Sequence, residues 1–269
     1  MSTKALDDLR ALSVAVDREE YLQHRSNWQS ENWILDSPII YKGRGHHGIA
    51  RGKELKRLCE FSDFIYQQPN PISRRDVLTH LQGADGNSKS LERGFLLTMM
   101  WGFGPNPLGP YRTSVMLESG GDNLGNKLSN IFAVLNKKLP SEEDIRAAYV
   151  NLLRLEQCGP AYATKFMYFA SPESARIPIF DSQVVAWLES EGRTGATKQK
   201  GSLSALNKHH FFDYYRFCKT ASEELGITDL GLLEYLMFID QNAARLVRGT
   251  ESLPKWIKRT RFSGAFQSP

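Results

Sequence analysis

The chain is poor in cysteine, with three in 269 residues. Cys59, Cys158 and Cys218 are too few and too scattered for a disulfide framework, a zinc finger or an iron–sulfur spacing, and they fit a reducing compartment. Long apolar runs are missing too: nothing approaches the 18 or so residues needed to span a bilayer. The opening MSTKALDDLRAL carries acids and lacks an apolar stretch, so it does not read as a secretory signal. Glycine (21) and proline (12) are too sparse for collagen-like or low-complexity sequence. Charge of one sign is also lacking overall, since 34 Lys plus Arg face 30 Asp plus Glu. These absences argue against an apolar membrane span, a disulfide framework and low-complexity sequence, leaving an ordinary globular chain, expected to be cytoplasmic.

The near-neutral balance hides an asymmetry. Residues 42–57 hold Lys42, Arg44, Arg51, Lys53, Lys56 and Arg57 against a single acid, Glu54, with His46 and His47 among them. Arg193, Lys198, Lys200 and Lys208 follow one another with no acid between, and Lys255, Lys258, Arg259 and Arg261 cluster near the end around Trp256. Clustered cations over a net acidic remainder are the footprint of a polyanion-binding face, although such runs are also ordinary solvated surface.

The apolar pattern is helical nearly throughout. Ser73 with Asp76, and Ser141 with Asp144, have capping-box spacing before residues at helical intervals. Residues 91–101, 207–226 and 229–246 also read as helices, Leu232, Leu233, Leu236, Met237 and Ala243 sharing one side of the last. Strand signal is confined to the neighbourhood of Ile39–Tyr41. Gly102-Phe-Gly-Pro-Asn-Pro-Leu-Gly-Pro110 is expected to be a loop, because its three prolines and its glycines oppose a regular helix. Residues 191–201 read as a polar loop. With no repeat and no clean linker, the expectation is one mostly α-helical unit over residues 1–269, with room for two lobes around a cleft.

The most informative stretch is 152–188, LLRLEQCGPAYATKFMYFASPESARIPIFDSQVVAWL. It reads as helix, tight turn, helix, extended segment and a new helix. Gly159 is suited to the left-handed position that ends a helix, and Pro160 to the first turn of the next, where its missing N–H costs nothing. Backbone N–H groups of Gly159, Pro160's neighbours and Ala161, with the positive end of the helix dipole, would receive a phosphate. Asp181 is placed to cap the helix after it. Each feature has an ordinary explanation: Asp181 as a plain cap, Lys165 as a snorkelling surface lysine, the aromatics as core.

Taken together, Gly159, Lys165 in Ala163-Thr-Lys-Phe-Met-Tyr-Phe169 and Asp181 in Ile177-Pro-Ile-Phe-Asp-Ser-Gln-Val184 resemble the helix-hairpin-helix DNA glycosylase superfamily, in particular its 8-oxoguanine glycosylase branch of archaeal and bacterial type. The resemblance is clear over residues 141–190. Ala163 stands where the eukaryotic-type branch has lysine, and Ala161 where a second hairpin glycine is common. No cysteine cluster follows, so an iron–sulfur site of the endonuclease III type is excluded. The resemblance implies a mostly α fold, duplex DNA carrying a modified base as partner, no membrane, no obligate protein partner and no cofactor or metal, with room for a monovalent cation at the hairpin. It also implies a nucleoid-associated location.

The implied chemistry suits these residue types. Breaking an N-glycosidic bond builds positive charge on the sugar, which a carboxylate such as Asp181 stabilises. A lysine such as Lys165, set among the apolar Phe166, Met167 and Phe169, could attack C1′ directly and form a Schiff base. Extruding a base requires pocket walls, for which Trp101, Phe103, Tyr111, Arg112 and Tyr215 are candidates. Arg44, His46, His47, Lys255 and Arg259 are candidates for further DNA contacts. The expected substrates are a hypermodified pyrimidine such as glucosylated hydroxymethylcytosine in phage DNA, an antiviral role, or 8-oxoguanine in repair. A hairpin protein that binds DNA without chemistry, and a helical protein unrelated to nucleic acid, remain open alternatives.

Overall fold

The computed structural model describes residues 3–26, 28, 33, 39–43, 46–50, 55–137, 139–191 and 210–247, with the backbone alone described at 3–4, 39–43, 46–50 and 243–247. In chain order the helices and strands begin with α1 (Thr3–Ala15) and α2 (Arg18–Leu22), then β1 (Arg25–Ser26), β2 (Ile39–Gly43) and β3 (His46–Ala50). Next come α3 (Lys56–Cys59), α4 (Ser62–Tyr66), β4 (Ile72–Ser73), α5 (Arg74–Gln82), α6 (Ser88–Phe103), α7 (Gly109–Gly120) and α8 (Leu124–Leu135). The chain continues with α9 (Glu142–Leu153), α10 (Pro160–Ala170), α11 (Ser182–Ser190), α12 (His210–Leu225) and α13 (Leu230–Val247). The fold is mostly α, and no described helix is long and apolar enough to cross a membrane.

These elements form two compact units. The larger is continuous, Leu22–Arg176; the smaller joins Met1–Tyr21 to Ile177–Pro269. Residues 141–190 are therefore shared between them, with the hairpin and Lys165 in the larger and Asp181 in the smaller.

In the larger unit α6 is the central helix. Leu91, Phe95, Leu96, Leu97, Met99 and Met100 are all buried, more than one face of an amphipathic helix would hide. The reason is that α5, α7, α8 and α10 all pack on it. Phe95 meets Phe166 of α10 edge-on at 5.4 Å. Both capping boxes form. The Asp76 N–H donates to Ser73 Oγ (3.1 Å) and the Ser73 N–H to Asp76 Oδ2 (2.7 Å). At α9 the Asp144 N–H donates to Ser141 Oγ (3.1 Å) and the Ser141 N–H to Asp144 Oδ2 (3.0 Å). Lys137 Nζ adds a 2.6 Å ion pair to Asp144, and this partner together with the Ser141 N–H holds the carboxyl below its ordinary range.

Two expectations need correction. The Gly/Pro-rich segment is much shorter than a 102–110 loop: α6 runs on to Phe103, and α7 starts at Gly109 with Pro110 in its first turn. Pro110 sits where no intrahelical N–H is required, and Pro105 and Pro107 fall in the turn itself. Gly104, at φ 54°, supplies the positive φ that ends α6. The second correction concerns strands. β2 and β3 pair antiparallel from Ile39↔Ala50 to Gly43↔His46, so the strand signal near Ile39–Tyr41 has a partner strand, carrying His46 and His47, that the pattern did not announce. The segment HHGIA has no apolar alternation, and cross-strand backbone pairing forms the ribbon instead. A further short pair joins β1 to β4.

In the smaller unit α13 is the hub, packed by α1, α11 and α12. Leu233, Leu236 and Met237 are buried on it, and Trp187 of α11 donates its indole N–H to Asp240 Oδ2 at 2.9 Å. Of the three free cysteines, Cys59 is exposed while Cys158 and Cys218 are buried. Burial pushes the Cys158 thiol up to about 12 and raises that of Cys218 as well. Because the thiolate is the reactive species, a thiol reagent at neutral pH should modify the folded protein at Cys59 alone. Intact-mass analysis before and after denaturation should show one adduct and then three.

Candidate active site

The hairpin is built by the end of α9 and the start of α10. After Leu153 the chain turns through Leu155 N–H to Leu152 O and Cys158 N–H to Leu155 O, both 3.0 Å. The left-handed residue of this turn is Gln157, with φ 64°, not Gly159. The helix stops four residues earlier than a C′ glycine at 159 would require, and Gly159, at φ −78° and ψ 175°, is instead the extended N-cap of α10. Pro160 occupies the first turn as its chemistry suggests, and Ala161 follows it half-buried. No side chain caps α10, and a Cβ built on Gly159 meets no atom within 4 Å. The bend thus presents a helix N-terminus with bare backbone around it, the arrangement that receives a phosphate oxygen. The Glu156 N–H donates to Ser119 Oγ at 2.9 Å, fastening the bend to the last turn of α7. Beside it lies a cavity of about 360 Å3 lined by Ser119, Lys127, Asn130, Asn151, Arg154 and Leu155.

From Ala163 to Ala170 every residue of α10 is buried, and Lys165 is only 7% exposed. Its place is set by α6. A Cβ on Gly102 would lie 2.9 Å from Lys165 Cδ and 3.6 Å from Cε, so the lysine stem runs directly over the backbone of Gly102. The same position would be 3.8 Å from Tyr162 Cδ1. Tyr162 in turn stacks on Phe103, with centroids 4.1 Å apart and planes 27° from parallel. Phe103 is held from behind by Gly109, whose Cβ would lie 3.0 Å from Phe103 Cβ and 3.4 Å from Trp33 Cζ2. The turn between α6 and α7 thereby gathers Lys165, Gly102, Phe103, Tyr162 and Trp33.

The other expected pocket residues divide. Trp101 is a core residue: it is 6% exposed, meets Phe169 edge-on at 5.1 Å and His24 at 5.8 Å, and has the Arg74 guanidinium 5.2 Å from its ring. Its near neighbour Phe103 faces Tyr162 instead, because successive residues on a helix face different directions. Tyr111 and Arg112 are half-buried in the first turn of α7. Tyr215 belongs to the smaller unit, half-buried on α12 and 6.2 Å from the Phe211 ring. Tyr162, Gly102 and Trp33 were not anticipated. A signal existed for Tyr162 alone, which precedes Lys165 by three residues and so shares its helix face. Arg44, Lys255 and Arg259 lie outside the described residues, and His46 and His47 are described by backbone only.

Asp181 caps α11 as its position suggests. Oδ1 accepts from the Gln183 N–H at 3.0 Å and the Val184 N–H at 3.4 Å, and the residue is half-buried. The segment leading to it is anchored, since Ile177, Ile179 and Phe180 are buried and Phe180 stacks on Tyr214 at 5.2 Å. The Tyr214 phenol is pushed up by burial first, then by Cys218, Glu234 and Asp181. A carboxylate on an anchored segment, held by two backbone donors, has little freedom to reorient.

A mostly helical chain with a hairpin, a buried lysine in the following helix and a capping aspartate after it has the organisation of a helix-hairpin-helix DNA glycosylase. It belongs to the family described as "Putative 8-oxoguanine DNA glycosylase OGG-like protein", whose model matches residues 20–238. Membership gives the chain a DNA glycosylase-type function and DNA as its partner. No curated protein and no solved structure matches the chain significantly.

Proposed function

We propose that the protein is a DNA N-glycosylase that extrudes a modified base from duplex DNA and cleaves its glycosidic bond, with Lys165 as nucleophile and Asp181 as the required carboxylate. The observation that carries this reading is the burial of Lys165, 7% exposed, in the helix that follows the hairpin, with its stem on a glycine and a stacked aromatic pair alongside. A solvated surface lysine would not be held this way.

In the proposed reaction the Lys165 Nζ lone pair forms a bond to C1′. The bond from C1′ to the base breaks, its electron pair leaves with the base, and the base takes up the proton that the amine gives up. Ring opening at O4′, which takes a proton from water, then leaves a protonated Schiff base. Asp181 stabilises the positive charge that develops on the sugar. The hairpin backbone at Gly159, Pro160 and Ala161 holds a phosphate, and the basic clusters extend the grip, so binding should weaken steeply with salt.

Both residues act on the sugar, so the chemistry is indifferent to which base departs, and the pocket walls choose it. A glucosylated hydroxymethylcytosine, in a defence role against phage DNA, and 8-oxoguanine, in repair within the cytoplasmic nucleoid, are the two substrate classes to be separated. The family description favours the second. Duplexes carrying each base, and phage genomic DNA with and without glucosylation, should be scored for abasic sites. Release from one class at a rate well above unmodified duplex supports the glycosylase and names its substrate. DNA binding without release from any duplex of a broad panel would leave a non-catalytic hairpin protein.

A further inference from the structure

We infer that Gly102 is a positioning residue for the Lys165 amine, an assignment that rests on the reading of Lys165 as nucleophile. Gly102 lies in the last turn of α6, where glycine is otherwise a poor choice, because it weakens a helix relative to alanine. Its φ is unremarkable, so backbone geometry does not call for it; positive φ falls at Gly104 instead. What calls for it is the lysine. Of the three atoms nearest a Cβ at this position, two are Cδ and Cε of Lys165, at 2.9 and 3.6 Å, and the third is Tyr162 Cδ1 at 3.8 Å. The first of these is well inside the 3.5–4.0 Å at which carbon atoms attract. The last two, at 3.6 and 3.8 Å, are ordinary contacts, so the conflict falls on one methylene of one flexible stem.

This placement separates two kinds of cost. A methyl group at position 102 meets no backbone among its nearest neighbours and no rigid ring closer than 3.8 Å, so the fold accommodates it by rotating the lysine stem. Rotation about a bond before Cδ carries Nζ off its line by an ångström or more. Reactions that depend on near-attack geometry lose on the order of 10²-fold for a displacement of that size. Gly102→Ala is therefore expected to spare stability and injure chemistry, the reverse of what a glycine kept for packing would do. Tyr162, whose Cδ1 would be 3.8 Å from the same methyl group, is stacked on Phe103 and is not the atom in conflict.

The test compares wild type, Gly102→Ala, Lys165→Ala and the double variant, each full-length. Three quantities are measured: single-turnover yield of borohydride-trapped adduct on a duplex containing an abasic site, affinity for a duplex with a non-cleavable abasic analogue, and melting temperature. An abasic duplex makes trapping independent of which base the enzyme prefers. For Gly102→Ala the expected result is a trapping rate lower by ~10-fold to 10²-fold, unchanged duplex affinity and a melting temperature unchanged or raised. In the Lys165→Ala background the added methyl should leave melting temperature and affinity unaltered, since the stem it opposes is gone. Wild-type trapping by Gly102→Ala overturns the inference. So does a fall in melting temperature that persists in the double variant, because the glycine would then serve the fold. The underlying reading fails separately: wild-type trapping by Lys165→Ala removes Lys165 as nucleophile, and that result is read on a protein that retains Gly102.

Discussion

Asp181→Asn should lower base excision by ~10²–10³-fold, the loss typical when one group that stabilises transition-state charge is removed, while the helix it caps remains intact. The two roles of this residue can be separated because they use different properties. Capping requires an oxygen that accepts from the Gln183 and Val184 N–H groups, and asparagine offers one in nearly the same place. Asparagine and aspartate are about equal as N-caps, so the change costs little stability. Charge stabilisation requires the negative charge, which asparagine lacks. Melting temperature should therefore stay within a few degrees of wild type and duplex affinity should hold, while single-turnover release of the base collapses. Asp181→Ala, which removes both the charge and the cap, should lose excision and in addition about 1 kcal/mol of stability. Wild-type excision by Asp181→Asn would reduce the residue to a cap and with it the case for catalysis.

Lys165→Met should abolish the borohydride-trapped adduct. Methionine retains an unbranched stem of similar length over Gly102 but offers no amine, so the volume beside Tyr162 stays filled. The change also removes a polar group from a buried position, which costs free energy to desolvate, and the melting temperature is expected to hold or rise. Lys165→Ala should also lose trapping, but with a penalty from the vacated volume. Gel separation of adduct from free duplex measures both. Excision that persists without trapping would point to water as the nucleophile, with Asp181 activating it, and would make the enzyme monofunctional. Excision and trapping at the wild-type level would assign Lys165 to packing.

The parts of this site that could be read from the chain are those decided within a few residues. Ser73 with Asp76, Ser141 with Asp144, and Asp181 with Gln183 and Val184 are contacts across one helical turn, and spacing alone announces them. The order of helix, bend, helix and capping aspartate is local in the same sense, which is why a resemblance confined to residues 141–190 identified a family whose model matches residues 20–238. What could not be read depends on elements far apart in the chain. Gly102 gains its meaning from a lysine four helices further along the chain, and Phe103 from Tyr162. Trp101 and Phe103 looked equivalent as pocket walls, yet one faces Phe169 in the core and the other faces Tyr162. Even within the hairpin, the strongest turn-former, Gly159, proved to be the N-cap, and Gln157 took the left-handed conformation. Composition ranks which residue tolerates positive φ best; it does not fix where the preceding helix stops.

The division of the chain has a bearing on how the protein is made. The smaller unit draws α1 from the start of the sequence and α11, α12 and α13 from its end, whereas the larger unit is one uninterrupted stretch. On a ribosome that releases the chain from its N-terminus, at ~5–20 residues per second, the segment that will hold the candidate nucleophile has emerged whole before α13 is translated. For that interval α1 carries buried-type residues such as Leu9 and Leu12 with no hub to cover them. Nascent chains are thus obliged to keep the apolar face of α1 soluble until α13 has been translated, and termination just before α13 leaves α1, α11 and α12 without their hub.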